Sequence, residues 1–80
     1  MTKQEIFNGL KEVFAAVKPK VNQDIITMDS NLVTDLGVDS LSMLLLSLAA
    51  ENKFGFQFNT QKPFTTVGEI VDYIDKAVNK

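Results

Sequence analysis

Apolar residues fall into three stretches of helical spacing, separated by two segments that show none. From Lys3 to Val17 the residues Ile6, Leu10, Val13, Phe14 and Val17 recur three and four apart. Thr2 followed by Glu5 supplies a capping-box signature at the start, and Pro19 disfavours helical geometry at Lys18 and marks the stop. A second helix is predicted from Ser40 to about Phe54, with Asp39 near its N-cap and Gly55 as the stop signal. Thr66 and Glu69 repeat the capping box. Behind them Val67, Ile70, Val71, Ile74, Ala77 and Val78 form one stripe, which predicts a helix over about Val67 to Asn79.

The middle helix is apolar on more than one face. Met43, Leu46, Ala50 and Phe54 point inward together, whereas Leu41, Leu44, Leu45 and Leu48 fall on adjoining or opposite faces, which suggests a binding surface. Between the first two helices, Lys18 to Asp39 shows neither helical periodicity nor strand alternation. Within it Ile25, Met28, Leu32 and Leu36 are spaced as core anchors, and Asp29-Ser30-Asn31 suits the cap of a short turn. An irregular segment of that length in a small domain is more often functional than decorative. Gly37 is suited to a backbone reversal before the second helix. After Gly55, Phe56-Gln57-Phe58 alternates over too few residues for a strand, and a brief extra helix is expected near Asn59 to Phe64. The six phenylalanines are expected in the core, Phe56 and Phe58 being the least constrained by pattern. The reading is all-α: one domain, residues 1–80, a small bundle of three main helices plus a short additional one, with a long loop after the first.

Composition narrows the chemistry by subtraction. Without cysteine there is no disulfide, thiolate metal site or thiol nucleophile, and the chain suits a reducing cytoplasm, where we expect it. Without histidine the usual general base is missing, so a Ser-His-Asp hydrolase cannot be assembled and no enzyme activity is expected. The N-terminus shows no secretory pattern, and no apolar run is long enough to span a bilayer. A net charge of −2 does not favour nucleic acid. The distribution says more: Asp24, Asp29, Asp35, Asp39 and Glu51 lie between Lys20 and Lys53 with no cation among them, leaving the remaining five acids and eight lysines at +3. A basic partner should therefore approach from the side of that central stretch. Asp29, Asn31 and Asp35 do not make a calcium loop, because Val33 takes a ligand position and Thr34 stands where glycine is needed; no metal is expected.

One segment joins these threads. Asp35-Leu36-Gly37-Val38-Asp39-Ser40-Leu41 ends the irregular stretch and puts a hydroxyl where a helix begins. It resembles the prosthetic-group attachment site of acyl carrier proteins, an acidic residue, Leu-Gly, a small apolar residue, then Asp-Ser-Leu. The resemblance continues through Asn31-Leu32-Val33-Thr34 upstream, Phe54 at the helix end, and Phe64-Thr65-Thr66-Val67 with Asp72-Tyr73-Ile74 downstream. It implies an acyl-carrier-like fold and a covalent 4′-phosphopantetheine on Ser40, whose thiol would hold acyl groups as thioesters for fatty-acid, polyketide or related lipid-metabolic enzymes. Physical chemistry supports such a place: a phosphodiester at a helix N-terminus meets unpaired amides and the positive end of the helix dipole.

The resemblance also implies partners: a phosphopantetheinyl transferase, and acyl-loading, condensing and acyl-transfer enzymes, met by a monomer. Docking would use Asp35, Asp39 and Glu51 with the apolar Leu41, Leu45 and Leu48. An acyl pocket between helices would be lined by Leu32, Met43, Leu46, Ala50, Phe54 and Ile74. The family's second helix usually alternates acids with apolar residues, yet this one carries Ser42, Leu45, Asn52 and Lys53 at the corresponding places. A specialised carrier with a dedicated partner is therefore the expectation. Alternatives are a peptidyl or aminoacyl carrier, which the Val38-Asp39 pair fits less well, and a helical interaction module without a prosthetic group, which would need no hydroxyl at position 40.

Overall fold

The computed structural model describes residues 1–58 and 64–79; the short helix expected near Asn59 to Phe64 lies, Phe64 apart, outside them. Three α-helices and no strand occur among the described residues: α1 (Lys3–Val17), α2 (Ser40–Phe54) and α3 (Val67–Val78), with one 3-10 turn at Gln23–Ile25. The caps explain the boundaries. Thr2 Oγ1 accepts the Glu5 amide at 3.1 Å while the Glu5 carboxylate accepts the Thr2 amide at 2.9 Å, closing the capping box. Thr66 Oγ1 accepts the Glu69 amide at 3.3 Å in the same way. Gly55 ends α2 with φ 71°, a left-handed cap that glycine adopts without strain. Asn79, expected inside the last helix, is instead its C-cap and donates its amide to the Asp75 carbonyl at 3.0 Å.

α1 packs against both other helices. It buries Ile6, Leu10, Val13 and Phe14, α3 buries Val67, Ile70, Val71 and Ile74, and α2 contributes Leu46 and Ala50. Gly9 lets α1 and α2 approach closely, since a Cβ there would stand 2.6 Å from the Phe54 ring. Of the phenylalanines only Phe14 is fully enclosed, whereas Phe7, Phe54, Phe56, Phe58 and Phe64 are half-buried against the core. Phe56, Phe58 and Phe64 gather with Tyr73 into a cluster whose ring centroids lie 4.7–6.2 Å apart. Lys53 reaches Glu12 at 2.8 Å and Lys3 reaches Asp72 at 2.9 Å; both pairs are exposed, so solvent screens most of their attraction.

The long loop is tied down by backbone bonds to the entrance of α3. The Leu32 amide donates to the Thr65 carbonyl at 2.9 Å, Val67 to Ser30 at 3.1 Å and Gly68 to Met28 at 2.8 Å. Leu32, Leu36 and Val38 then drop into the core, at most 3% exposed. Ile25 does not anchor as its spacing suggested. It is 56% exposed, and Ile26 is buried instead. The cause is the 3-10 turn, capped by Asn22 Oδ1 on the Asp24 amide, which shifts the inward position by one residue. No helix among the described residues is long and apolar enough to cross a membrane.

The clasp yields a sign test at Gly68. Replacing glycine by alanine inside a helix ordinarily stabilises by about 1 kcal/mol. Here the new Cβ would stand 2.9 Å from the Met28 carbonyl oxygen, a backbone atom held by the Gly68 amide itself. Gly68→Ala is therefore expected to destabilise, by about 1–3 kcal/mol as overpacking does, in urea unfolding. A stabilised variant would show that the loop is not clamped to α3 there.

Candidate functional site

The loop's last turn delivers a serine to the start of α2. Asn31 Oδ1 accepts the Val33 and Thr34 amides, both at 2.9 Å, and the Asn31 carbonyl accepts those of Asp35 and Leu36 at 3.0 and 3.2 Å. Asp35 returns a carboxylate oxygen to the Asn31 amide at 2.8 Å. Gly37, at φ 67°, reverses the chain, and Val38 enters the core with its amide on the Leu32 carbonyl at 2.8 Å. Nothing lies within 4 Å of a Cβ built on Gly37, so glycine is required there by backbone conformation, not by space.

Asp39 is the N-cap of α2. Its Oδ1 accepts the Ser42 amide at 2.8 Å, and its carbonyl accepts that of Met43 at 2.8 Å. Ser40 is the first helical residue and is exposed. At a helix start the first-turn amides, here those of Ser40 and Leu41, have no intrahelical acceptor and carry the positive end of the dipole. The hydroxyl thus stands where a phosphoester would be electrostatically welcome.

Two spaces adjoin it. An open groove of about 540 Å³ is lined by Val33, Val38, Asp39, Ser40, Met43 and Phe64. Beneath it a cavity of about 10 Å³ lies among Leu10, Phe14, Met43, Leu46, Ser47, Ala50, Phe58, Phe64 and Ile70. Met43 and Phe64 are the two residues common to both.

The six residues expected to line an acyl pocket all belong to the core or pack against it. Met43, Leu46 and Ala50 line the small cavity, but Leu32 and Ile74 are fully enclosed in the core, and Phe54 lies on the Gly9 side with Glu12 and Lys53. The helical period places these side chains inward without saying which inward cluster each joins. Among the residues expected to dock, Leu41 is 66%, Leu45 46% and Leu48 54% exposed, and Leu44 joins them at 55%. These four stand at i, i+3, i+4 and i+7, one outward stripe beginning beside Ser40. Glu51 is less available: its Oε2 accepts the Phe58 amide at 2.8 Å and its carbonyl those of Gly55 and Phe56. It fixes the segment after α2. Val33, Val38 and Phe64, apolar walls of the groove with Met43, were not marked as such in the sequence because they come from two irregular stretches with no shared period.

The comparisons with known proteins agree with this geometry. A family model described as the phosphopantetheine attachment site matches residues 8–74. An acyl carrier protein of Clostridium perfringens is 39% identical over 77 residues, covering 94% of this chain and 100% of the relative. That of Coprothermobacter proteolyticus is 38% identical, covering 94% of this chain and 93% of the relative. The Thermotoga maritima acyl carrier protein is 34% identical, covering 94% of each.

Asp39 gives the site a pH signature. The Ser42 backbone amide, then the Ser42 hydroxyl, hold its carboxyl below the ordinary aspartate value. A group depressed in the folded state stabilises above its unfolded value and loses that contribution as pH falls through the folded one. Asp39→Asn keeps a capping oxygen but cannot titrate. Wild type is expected to have the higher urea midpoint at neutral pH, with the gap closing as pH drops through and below the normal carboxylate range; a gap constant with pH would remove Asp39 as a charged cap.

Proposed function

The chain belongs to the acyl carrier protein family, and we propose that it carries acyl groups on a 4′-phosphopantetheine arm joined to the Oγ of Ser40. Members of this family act as covalent carriers and not as catalysts. The bound arm supplies the thiol that forms the thioester, which this cysteine-free chain does not itself contain. The observation that carries the reading is the exposed Ser40 hydroxyl at the first position of α2, behind an Asp39 cap and in front of an open groove. The protein's own contribution is placement: the Gly37 reversal and the buried Val38 hold the attachment point at the edge of the bundle.

The partners follow from the same face. A phosphopantetheinyl transferase must reach Ser40, and acyl-loading, condensing or transfer enzymes must meet the loaded arm, in the cytoplasm, in fatty-acid or related biosynthesis. Exposed Asp35 and Asp39 steer basic surfaces toward the site, while Leu41, Leu44, Leu45 and Leu48 offer the anchor spacing of a helix that lies in an apolar groove. Fully burying a leucine contributes about 1.5–3 kcal/mol against about 0–1 for an exposed ion pair, so even half-buried leucines outweigh rim charges in affinity. A second copy of this chain suits the stripe poorly, because it would bring two acidic stretches together.

Two measurements test this. Incubation with coenzyme A and a broad-specificity transferase is expected to add one phosphopantetheine, seen by intact mass, with Ser40→Ala accepting none; addition elsewhere, or none with several transferases, sinks the assignment. Leu45→Glu, which restores an acid common in the family, is expected to weaken binding to the native partner about tenfold while improving use by a general fatty-acid synthase enzyme, a tenfold loss being 1.4 kcal/mol. Unchanged or improved binding to both would make Leu45 a bystander.

A further inference from the structure

The far end of α2 borders a second concavity, remote from the serine. Glu5, Asn8, Gly9 and Glu12 stand at i, i+3, i+4 and i+7 on α1, one stripe of that helix. With Lys53 and Phe54 of α2 they are among the residues that line an open cleft of about 390 Å³. Its floor is a glycine: a Cβ on Gly9 would stand 2.6 Å from the Phe54 ring and 3.1 Å from Cε of Lys53, so ring and lysine stem both lie across that gap. The Lys53 ammonium then rests on the Glu12 carboxylate at 2.8 Å. The cleft thus already seats a cation, supplied by its own chain. We propose that it is the seat of an arginine side chain from a partner protein, which Lys53 fills in the free carrier and yields on binding.

A guanidinium fits this seat better than an amine. The side chains around it set two carboxylates, Glu5 and Glu12, against the one ammonium of Lys53, and the Met1 amino group at the rim is directed to Asn79 Oδ1 at 2.7 Å. The complement is therefore a cation. The pair of Lys53 with Glu12 is exposed and contributes little, so it exchanges readily, and the freed ammonium is strongly hydrated. A guanidinium gives a carboxylate two parallel hydrogen bonds where an ammonium is a point charge, and its plane stacks on an aromatic ring such as that of Phe54. A second copy of this chain cannot supply it, because all eight cationic residues are lysines. Position adds the functional sense. Lys53 and Phe54 turn toward α1, and about 20 Å of helix, at about 1.5 Å per residue, separates them from Ser40. A protein holding the carrier here leaves both the attachment residue and the leucine stripe free, which suits a partner that retains the carrier while enzymes act on it.

The probes are N-acetyl-arginine amide and N-acetyl-lysine amide, titrated at matched ionic strength into the full apo chain and followed by NMR. The arginine probe is expected to bind in the millimolar range, shifting the backbone amides of Asn8 and Gly9 and the Phe54 ring protons to saturation, with the lysine probe about threefold weaker. Equal affinity for both probes, or shifts centred on Asp24, Asp29 and Asp35 instead, overturn the seat. Glu12→Gln is expected to weaken the arginine probe about threefold, and unchanged binding removes the carboxylate from it. Lys53→Met keeps the stem, removes the competing charge and is expected to tighten the probe about threefold. Lys11→Met makes the same change in net charge where Lys11 lies over the Phe7 ring, 5.7 Å from its centroid, and is expected to leave the affinity as it was. Equal tightening in both lysine variants, or none in Lys53→Met, overturns Lys53 as the occupant. Because the apo form is used throughout, these titrations do not depend on the arm, and the mass test at Ser40 and the test of this seat fail separately.

Discussion

Everything that makes Ser40 usable depends on a short run of backbone hydrogen bonds between the long loop and the entrance of α3. Ordering one residue costs about 1–2 kcal/mol of backbone entropy, and more than twenty residues separate α1 from α2. The bonds from Leu32 to Thr65, Val67 to Ser30 and Gly68 to Met28 satisfy loop amides and carbonyls that would otherwise be stranded beside the core. With them made, Ile26, Leu32, Leu36 and Val38 can be buried from a segment that has no regular structure of its own. The serine is positioned by α3, an element far away in sequence, through a loop acting as a strut.

The helices were legible because each carries redundant signals. Thr2 with Glu5, Thr66 with Glu69, Pro19 and Gly55 each named a boundary that the stripe of apolar residues also named, and the helix starts fell where the caps said. The attachment segment was legible for a similar reason: Gly37, Asp39 and Ser40 each have a local physical duty that can be read without the rest of the chain. What escaped was anything set by pairing between irregular stretches. Ile26 replaced Ile25 because a three-residue turn moved the inward position, and no period exists there to reveal it. The expected cargo residues Leu32, Phe54 and Ile74 are inward or half-buried, but three such residues can face three different neighbours, and the helical period does not say which.

α2 serves two surfaces with one short sequence. Its inner row closes the bundle over α1, its outer row of leucines stands in solvent, and Ser40 sits where both begin. A helix this apolar all round would normally be enclosed. Leaving half of it uncovered has a cost in solubility, which the acidic stretch from Asp24 to Glu51 offsets by keeping copies of the chain apart. Four leucines make a small patch beside the roughly 20–30 residues a side of stable complexes, so it suits brief encounters.

The aromatic cluster has an optical side. The chain contains no tryptophan and a single tyrosine, Tyr73, and that ring lies against Phe64, the wall shared by the groove and the interior. Light absorbed near the tyrosine band therefore samples one place in the molecule. Any rearrangement of Phe64 alters the asymmetric surroundings of that one chromophore, so near-ultraviolet circular dichroism follows the groove wall without a label.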